Sequence, residues 1–341
     1  MSIPIFLPSI KRKDMDSVLS CLVSDNLGPG QIHGQFVSKA CEYLSMAAGL
    51  AFKEYKRTIE MALISLDLPQ GAKIILSPLT PHIYTETIEF LGFKPLYIDV
   101  EGSSAAISEN AFEEALAEAP GAAIIYQNLG LMPNMEKIRE FGLPLIEDVS
   151  QSIGAYIEQG KAGSFGDLTI IDLGPASMIT ASGGALLLGK KRKEIQNIKE
   201  IIKDNEEIFL LSDVNCALGL KQLSQIELYI EKRRNIAASY QKAVMKSRHG
   251  MLQQSAEGEP SFYCCPVLIN GSVKDVISYA AKKGIETSKA FKNASMFYMD
   301  DEQNSFPQAK KLLLRCLLFP LYPVLSKDSI ELIIKALSTI P

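Results

Sequence analysis

From Lys73 to Leu188, short apolar runs alternate with amphipathic stretches. Lys73–Ser77 reads as a strand and Thr80–Leu91 as a helix, and Pro95–Val100 is the next strand. Ser108 stands where an N-cap is expected, ahead of a helix over Glu109–Glu118. Ala122–Tyr126 predicts a strand, Asn134–Phe141 a helix and Pro144–Glu147 a strand, followed by strands at Leu168–Leu173 and Ala185–Leu188. Continuously apolar strands separated by helices imply a mainly parallel sheet covered on both faces. Ligands on such sheets sit beyond the carboxyl ends of the strands. From Asp213 the texture changes. Asp213–Met245 reads as one long helix with a basic second half, and a strand (Ser261–Ile269), two helical patterns and a proline-punctuated Phe319–Pro323 follow. The expected organisation is a large α/β domain over residues 1–222, then a connecting helix and a smaller C-terminal α+β domain over 223–341.

Composition narrows the function classes. The chain has 341 residues, 47% of them hydrophobic, enough for two packed cores. Charge balance is 35 − 39 = −4, which gives no general attraction to nucleic acid or to an anionic membrane surface. Six scattered cysteines without a CxxC pair and three distant histidines, His33, His82 and His249, argue against a metal cluster or a disulfide framework. The apolar stretch Ile3–Ile10 is short, holds Pro4 and Pro8, and has its basic residues after it, whereas a signal peptide has them before. No window is apolar over the length a membrane span needs. A cytoplasmic protein is the expectation.

Three motifs look like chemistry and read better as structure. Gly28–Gly34 is glycine-rich, but its spacing is not GxGxxG and the segment before it is helical, so a turn is expected. Gly184–Lys190 formally fits GxxxxGK, yet a leucine run fills it and Lys191 follows, which reads as a buried strand running into a basic helix start. His82, after Pro81, is a plausible ligand position that is more often structural. Asp148 differs: it ends the strand PLIED at the carboxyl edge of the sheet, where a carboxylate faces the ligand crevice or caps a loop.

Around Asp148 the chain resembles a known family. Ile146–Ala155 (IEDVSQSIGA), Gly160–Asp167 (GKAGSFGD), Ser182–Lys193 (SGGALLLGKKRK) and Leu211–Tyr240 are similar to segments of the DegT/DnrJ/StrS sugar aminotransferases, and Leu91–Glu101 and Phe319–Pro323 also fit. The resemblance covers nearly the whole chain in order. It implies a fold-type-I pyridoxal-phosphate-transferase architecture and a link to amino sugars and polysaccharide biosynthesis. It also implies a homodimer with the site at the subunit interface.

Residue by residue, the resemblance implies an altered site. Asp148 matches the carboxylate that pairs with the pyridinium nitrogen, and Gln151 the residue near the ring hydroxyl. The Schiff-base lysine falls at Ser177, or at Ala176 when counted from the far side, and no lysine occurs between Lys161 and Lys190. Serine forms no imine. The phosphate-binding Ser-Gly-Thr turn falls on Glu54-Tyr55-Lys56, and a serine of the same cup on Asp172. A carboxylate about 4 Å from one phosphate charge is repelled by roughly 4 kcal/mol at an effective dielectric of about 20. The aromatic that stacks on the pyridine ring falls on Leu79 or Pro81. Pyridoxal phosphate is therefore expected not to be bound covalently.

Lys56 and Asp172 are expected to pair and fill the vacated cup, since a lone buried charge is costly. Thr287–Asn304, which helps recognise the sugar in relatives, is shorter here and keeps little of their proline-rich pattern. Three readings follow. The first is a degenerate homologue that binds a nucleotide-sugar-like ligand or pairs with an active relative. The second is an active enzyme of the family. The third is a scaffold that keeps only the dimerisation surface.

Overall fold

The computed structural model describes residues 2–23, 27–299 and 305–341. Its centre is a seven-stranded sheet in the spatial order Ala48–Phe52, Ala185–Gly189, Leu168–Asp172, Leu145–Asp148, Ala122–Tyr126, Lys73–Leu76, Lys94–Tyr97. All neighbours pair in parallel except around Ala185–Gly189, which is antiparallel to both of its partners. The reason is the short return from Leu173 to Gly184, too short to hold the crossover helix that a parallel step requires. Gly184 makes that return possible: its φ is +88°, and a Cβ there would come within 2.5 Å of the Phe52 carbonyl oxygen.

The strands alternate their side chains between two cores. Ile124 and Ile146 pack on one face with Ile59, Ile74 and Leu187, while Ala123, Ile125 and Leu145 pack on the other with Phe112, Ile138 and Leu186. Each fully buried isoleucine contributes about 1.5–3 kcal/mol relative to an exposed one. This is the mainly parallel, doubly covered sheet that the pattern of apolar runs predicts. Buried Glu147 secures the segment after it by accepting backbone N–H bonds from Gly163 at 2.9 Å and Phe165 at 2.7 Å, together with the Gln127 amide at 2.8 Å.

The turn expected over Gly28–Gly34 is a bend over Gly28–Gly30 only, since Gly34 lies inside the helix that follows. Its glycines lead into the helix Gln31–Leu44, whose first N–H groups, with that of Gly30, bond to the Asp213 carboxylate. Gly184–Lys190 is the antiparallel strand and its exit. Ser108 stands at the N-cap of Glu109–Ala115, but its side chain makes no capping bond.

The single long helix expected over Asp213–Met245 is two helices, Asp213–Ser224 and Ile226–Val244. The break has a tertiary cause: the Gln225 amide bonds the Asp14 carboxylate at 2.8 Å, and the Tyr229 hydroxyl bonds the Ser9 carbonyl at 2.9 Å. The N-terminal segment thus pins the junction. Ile230 still packs in the large core, while Ile236, Ala237 and Tyr240 belong to a C-terminal core. There a four-stranded antiparallel sheet runs Gly250–Met251, Cys265–Leu268, Cys316–Phe319, Ser288–Lys289. The strand expected over Ser261–Ile269 is trimmed to Cys265–Leu268. All six cysteines are buried. No described helix is long and apolar enough to cross a membrane.

Candidate functional site

Asp148 is the last residue of its strand and is completely buried at the carboxyl edge of the sheet. Its neighbours are phenols. Tyr55, the first residue of the helix Tyr55–Ser65, donates its hydroxyl to Asp148 Oδ2 at 2.5 Å, and Tyr84, from the helix His82–Phe90, donates to the same oxygen. Asp148 Oδ1 accepts the backbone N–H of Ser150 at 2.9 Å. Tyr126 ends the adjacent strand and meets Tyr84 edge to face at 6.2 Å. Burial pushes the Asp148 carboxyl above its ordinary range, opposed by the bonds from Ser150, Tyr55 and Tyr84. Burial, then the Asp148 charge, pushes the phenols of Tyr55 and Tyr84 well above theirs.

Asp172 ends the strand beside Asp148. It accepts the Ser177 hydroxyl on Oδ2 and the Gly174 N–H on Oδ1 at 3.2 Å, and its own N–H donates to Ser150 Oγ at 2.7 Å. Burial raises its carboxyl as well, opposed by the Ser177 and Gly174 bonds. Between these groups lies a cavity of about 90 Å³. Tyr55, Tyr126 and Tyr263 wall it with rings, and Asp172, Ser177 and Gln151 supply polar atoms. Ligand pockets usually hold ~300–1,000 Å³. The Gln151 side chain is held through Oε1, which accepts the Leu129 N–H at 2.7 Å.

The Tyr263 wall is anchored from outside. Its hydroxyl donates to the Ala176 carbonyl at 3.0 Å, and Phe6 stacks on its ring at 6.2 Å. Arg233, 3% exposed, donates to the carbonyls of Phe262, Tyr263 and Leu321 at 2.8–3.1 Å. Burial lowers its pKa to about 10.

The structure therefore gathers Asp148, Gln151, Tyr55, Asp172 and Ser177 at one place, but Lys56 is not among them. The expected Lys56–Asp172 pair is absent: Lys56 Nζ lies 3.5 Å from Glu86, half exposed, while Asp172 is bonded to Ser177. One helical step of 100° turns Tyr55 inward and Lys56 outward. The other lysines near the site in sequence are also directed elsewhere. Lys53 bonds the Glu207 carbonyl, Lys161 pairs with Glu227 at 3.2 Å, and Lys190 bonds the Ser164 carbonyl at 3.1 Å.

At the remaining expected positions, Leu79 is buried in an apolar cluster with Ala294 and Met296, and His82 stacks on Tyr298 at 3.8 Å. No group of metal-ligating side chains forms among the described residues. The last five residues of Thr287–Asn304 lie outside the described residues. Three site residues escaped sequence reasoning: Tyr84, Tyr126 and Tyr263. Tyr126 was within reach, since it ends the strand next to the one Asp148 ends, whereas Tyr84 and Tyr263 arrive through tertiary packing.

Comparison with known proteins gives a consistent picture. The model of the DegT/DnrJ/EryC1/StrS aminotransferase family matches residues 8–338. A UDP-4-amino-4,6-dideoxy-N-acetyl-beta-L-altrosamine transaminase of Campylobacter jejuni is 28% identical over 261 residues, 70% of this chain and 69% of that protein. A GDP-perosamine synthase of Escherichia coli O157:H7 is 23% identical, covering 98% of each. Helicobacter pylori PseC, an aminotransferase involved in the biosynthesis of pseudoaminic acid, superposes with a TM-score of 0.89 at 20% identity, covering 99% of this chain and 98% of that one. A Streptococcus pneumoniae protein solved in PMP and PLP forms superposes with a TM-score of 0.90, at 18% and 17% identity, over 100% of this chain and 98% of that one.

Proposed function

We infer that this chain, which belongs to the DegT/DnrJ/EryC1/StrS aminotransferase family, has lost transamination and serves amino-sugar or polysaccharide biosynthesis as a non-catalytic member. The family is pyridoxal-phosphate-dependent. When bound, that cofactor carries the amino group between donor and acceptor, and it is attached through a lysine amine. One observation carries the reading: the cavity beside Asp148 has no amine in its lining, and the loop where the lysine belongs presents Ser177, whose hydroxyl is bonded to Asp172. The half-buried Asp172 carboxylate at the expected phosphate cup and the small cavity volume support it further, because the residues present do not suit a phosphorylated pyridine.

A cytoplasmic homodimer that meets a nucleotide-sugar or an active relative completes the reading. The helix Arg12–Val23 exposes Met15, Leu19, Leu22 and Val23, an apolar face suited to association. The test is direct. The protein is incubated with pyridoxal phosphate, treated with borohydride, and its intact and peptide masses are recorded. No stoichiometric pyridoxyl adduct is expected on any lysine of the chain. A stoichiometric adduct on a single lysine, or amino transfer to a nucleotide-linked keto sugar, overturns the reading.

A further inference from the structure

We propose that the Tyr55 phenol is a built-in occupant of the place where a pyridine ring would meet Asp148, so that this chain excludes pyridine-type ligands from the site independently of the missing lysine. The proposal rests on the reading of the site above and extends it to a second, non-covalent barrier.

The argument begins with the acceptor capacity of Asp148. A carboxylate has about four lone-pair directions. Oδ2 already takes two phenol hydroxyls and Oδ1 the Ser150 N–H, and the Ser150 hydroxyl also favours the charged form. Both directions of Oδ2 are filled, so that oxygen has none left for a protonated ring nitrogen. A phenol and a pyridinium are both six-membered aromatic rings carrying one protic group, and each can present that group to a carboxylate. Tyr55 does this from inside the chain.

Its placement is fixed rather than incidental. It is the first residue of a helix, its backbone is held in the first helical turn, and its ring meets Tyr84 edge to face at 6.1 Å. The ring also forms one wall of the 90 Å³ cavity, so removing it joins that space to the volume of a full aromatic ring directly in front of Asp148. Without the plug, Asp148 would keep Tyr84 and Ser150 and regain a free acceptor direction.

Pyridoxine is the probe. It carries the ring but no phosphate, so Asp172 cannot repel it and only the ring place is read. Binding is measured by calorimetry and by pyridoxine fluorescence for wild type, Asp148→Asn, Tyr55→Gly, Tyr55→Phe, and Tyr55→Gly combined with Asp148→Asn. Wild type and Tyr55→Phe, which both keep the ring, are expected not to bind. Tyr55→Gly should bind at least tenfold more tightly than wild type, a difference of about 1.4 kcal/mol, and Asp148→Asn should remove the gain. A folded Tyr55→Gly that binds no better than wild type overturns the proposal. So does saturable pyridoxine binding by the wild type that Asp148→Asn abolishes, a result that needs no Tyr55 variant to fold. Neither outcome touches the loss of transamination, which the borohydride experiment tests separately.

Discussion

Replacing Tyr84 by phenylalanine should weaken the protein in a way that only the Asp148 carboxylate explains. Both side chains are completely buried, and the phenol donates to Oδ2. A hydrogen bond to a charged group contributes about 1.5–3 kcal/mol. Tyr84→Phe keeps the ring and its contacts with Tyr55 and Tyr126 and removes only the donor, so a loss of ~1.5–3 kcal/mol is expected at pH 8. The loss should depend on pH. Burial raises the Asp148 carboxyl above its unfolded value, so the folded state holds the proton more tightly. The charged carboxylate therefore costs stability as pH rises from the ordinary carboxylate range through the raised value. Removing a donor that favours the charged form raises that value further. The deficit of Tyr84→Phe should shrink at pH 5 relative to pH 8. Urea unfolding followed by circular dichroism and tyrosine fluorescence measures this, since the chain has no tryptophan. A double-mutant cycle with Asp148→Asn should recover most of the deficit as coupling. A deficit below ~0.5 kcal/mol, the usual scale of additivity error, or one equal at both pH values and uncoupled from Asp148, would refute the network.

Arg233→Met should destabilise by about 2 kcal/mol or more, because the three carbonyls that its Nη1 serves lose their donor; thermal denaturation reads it. Ser177→Lys should still yield no borohydride-fixed pyridoxyl group on the new lysine, since Tyr55 and Asp172 remain; mass spectrometry after reduction decides, and full adduct formation would mean the cup is intact. His249 should make stability fall on acidification. Its Nδ1 accepts the Asn270 N–H at 2.9 Å, and burial lowers its pKa, so the unfolded chain binds the proton first as pH drops below about 6.5. His249→Gln should flatten the stability profile below about pH 6.5.

Much of the fold was legible in the chain itself. Continuous apolar runs such as Ala122–Tyr126 mark strands buried on both faces, a pattern that favours parallel pairing, although the equally apolar Ala185–Gly189 pairs antiparallel. Asp148 could be placed because a residue ending such a strand has a fixed edge position, and the absence of lysine between Lys161 and Lys190 needs no structure at all. The break at Gln225 was not legible, because it depends on Asp14, distant in sequence. Local periodicity runs through that position unbroken. The pairing expected of Lys56 failed for a related reason: sequence put both charges near one site, but helix phase decided which side chain faces it.

The sequence by itself determined that the chain builds an aminotransferase-type scaffold and that residues 162–189 hold no lysine, since both follow from residue identity and order. Only the tertiary structure decided what surrounds Asp148 and Asp172. Tyr55, Tyr84, Tyr126 and Tyr263 come from four separate segments, and the sheet and its flanking helices bring them around the two carboxylates. Burial leaves Asp148 no water, so the chain supplies the donors itself, and which phenols do so is settled by packing rather than by spacing along the chain.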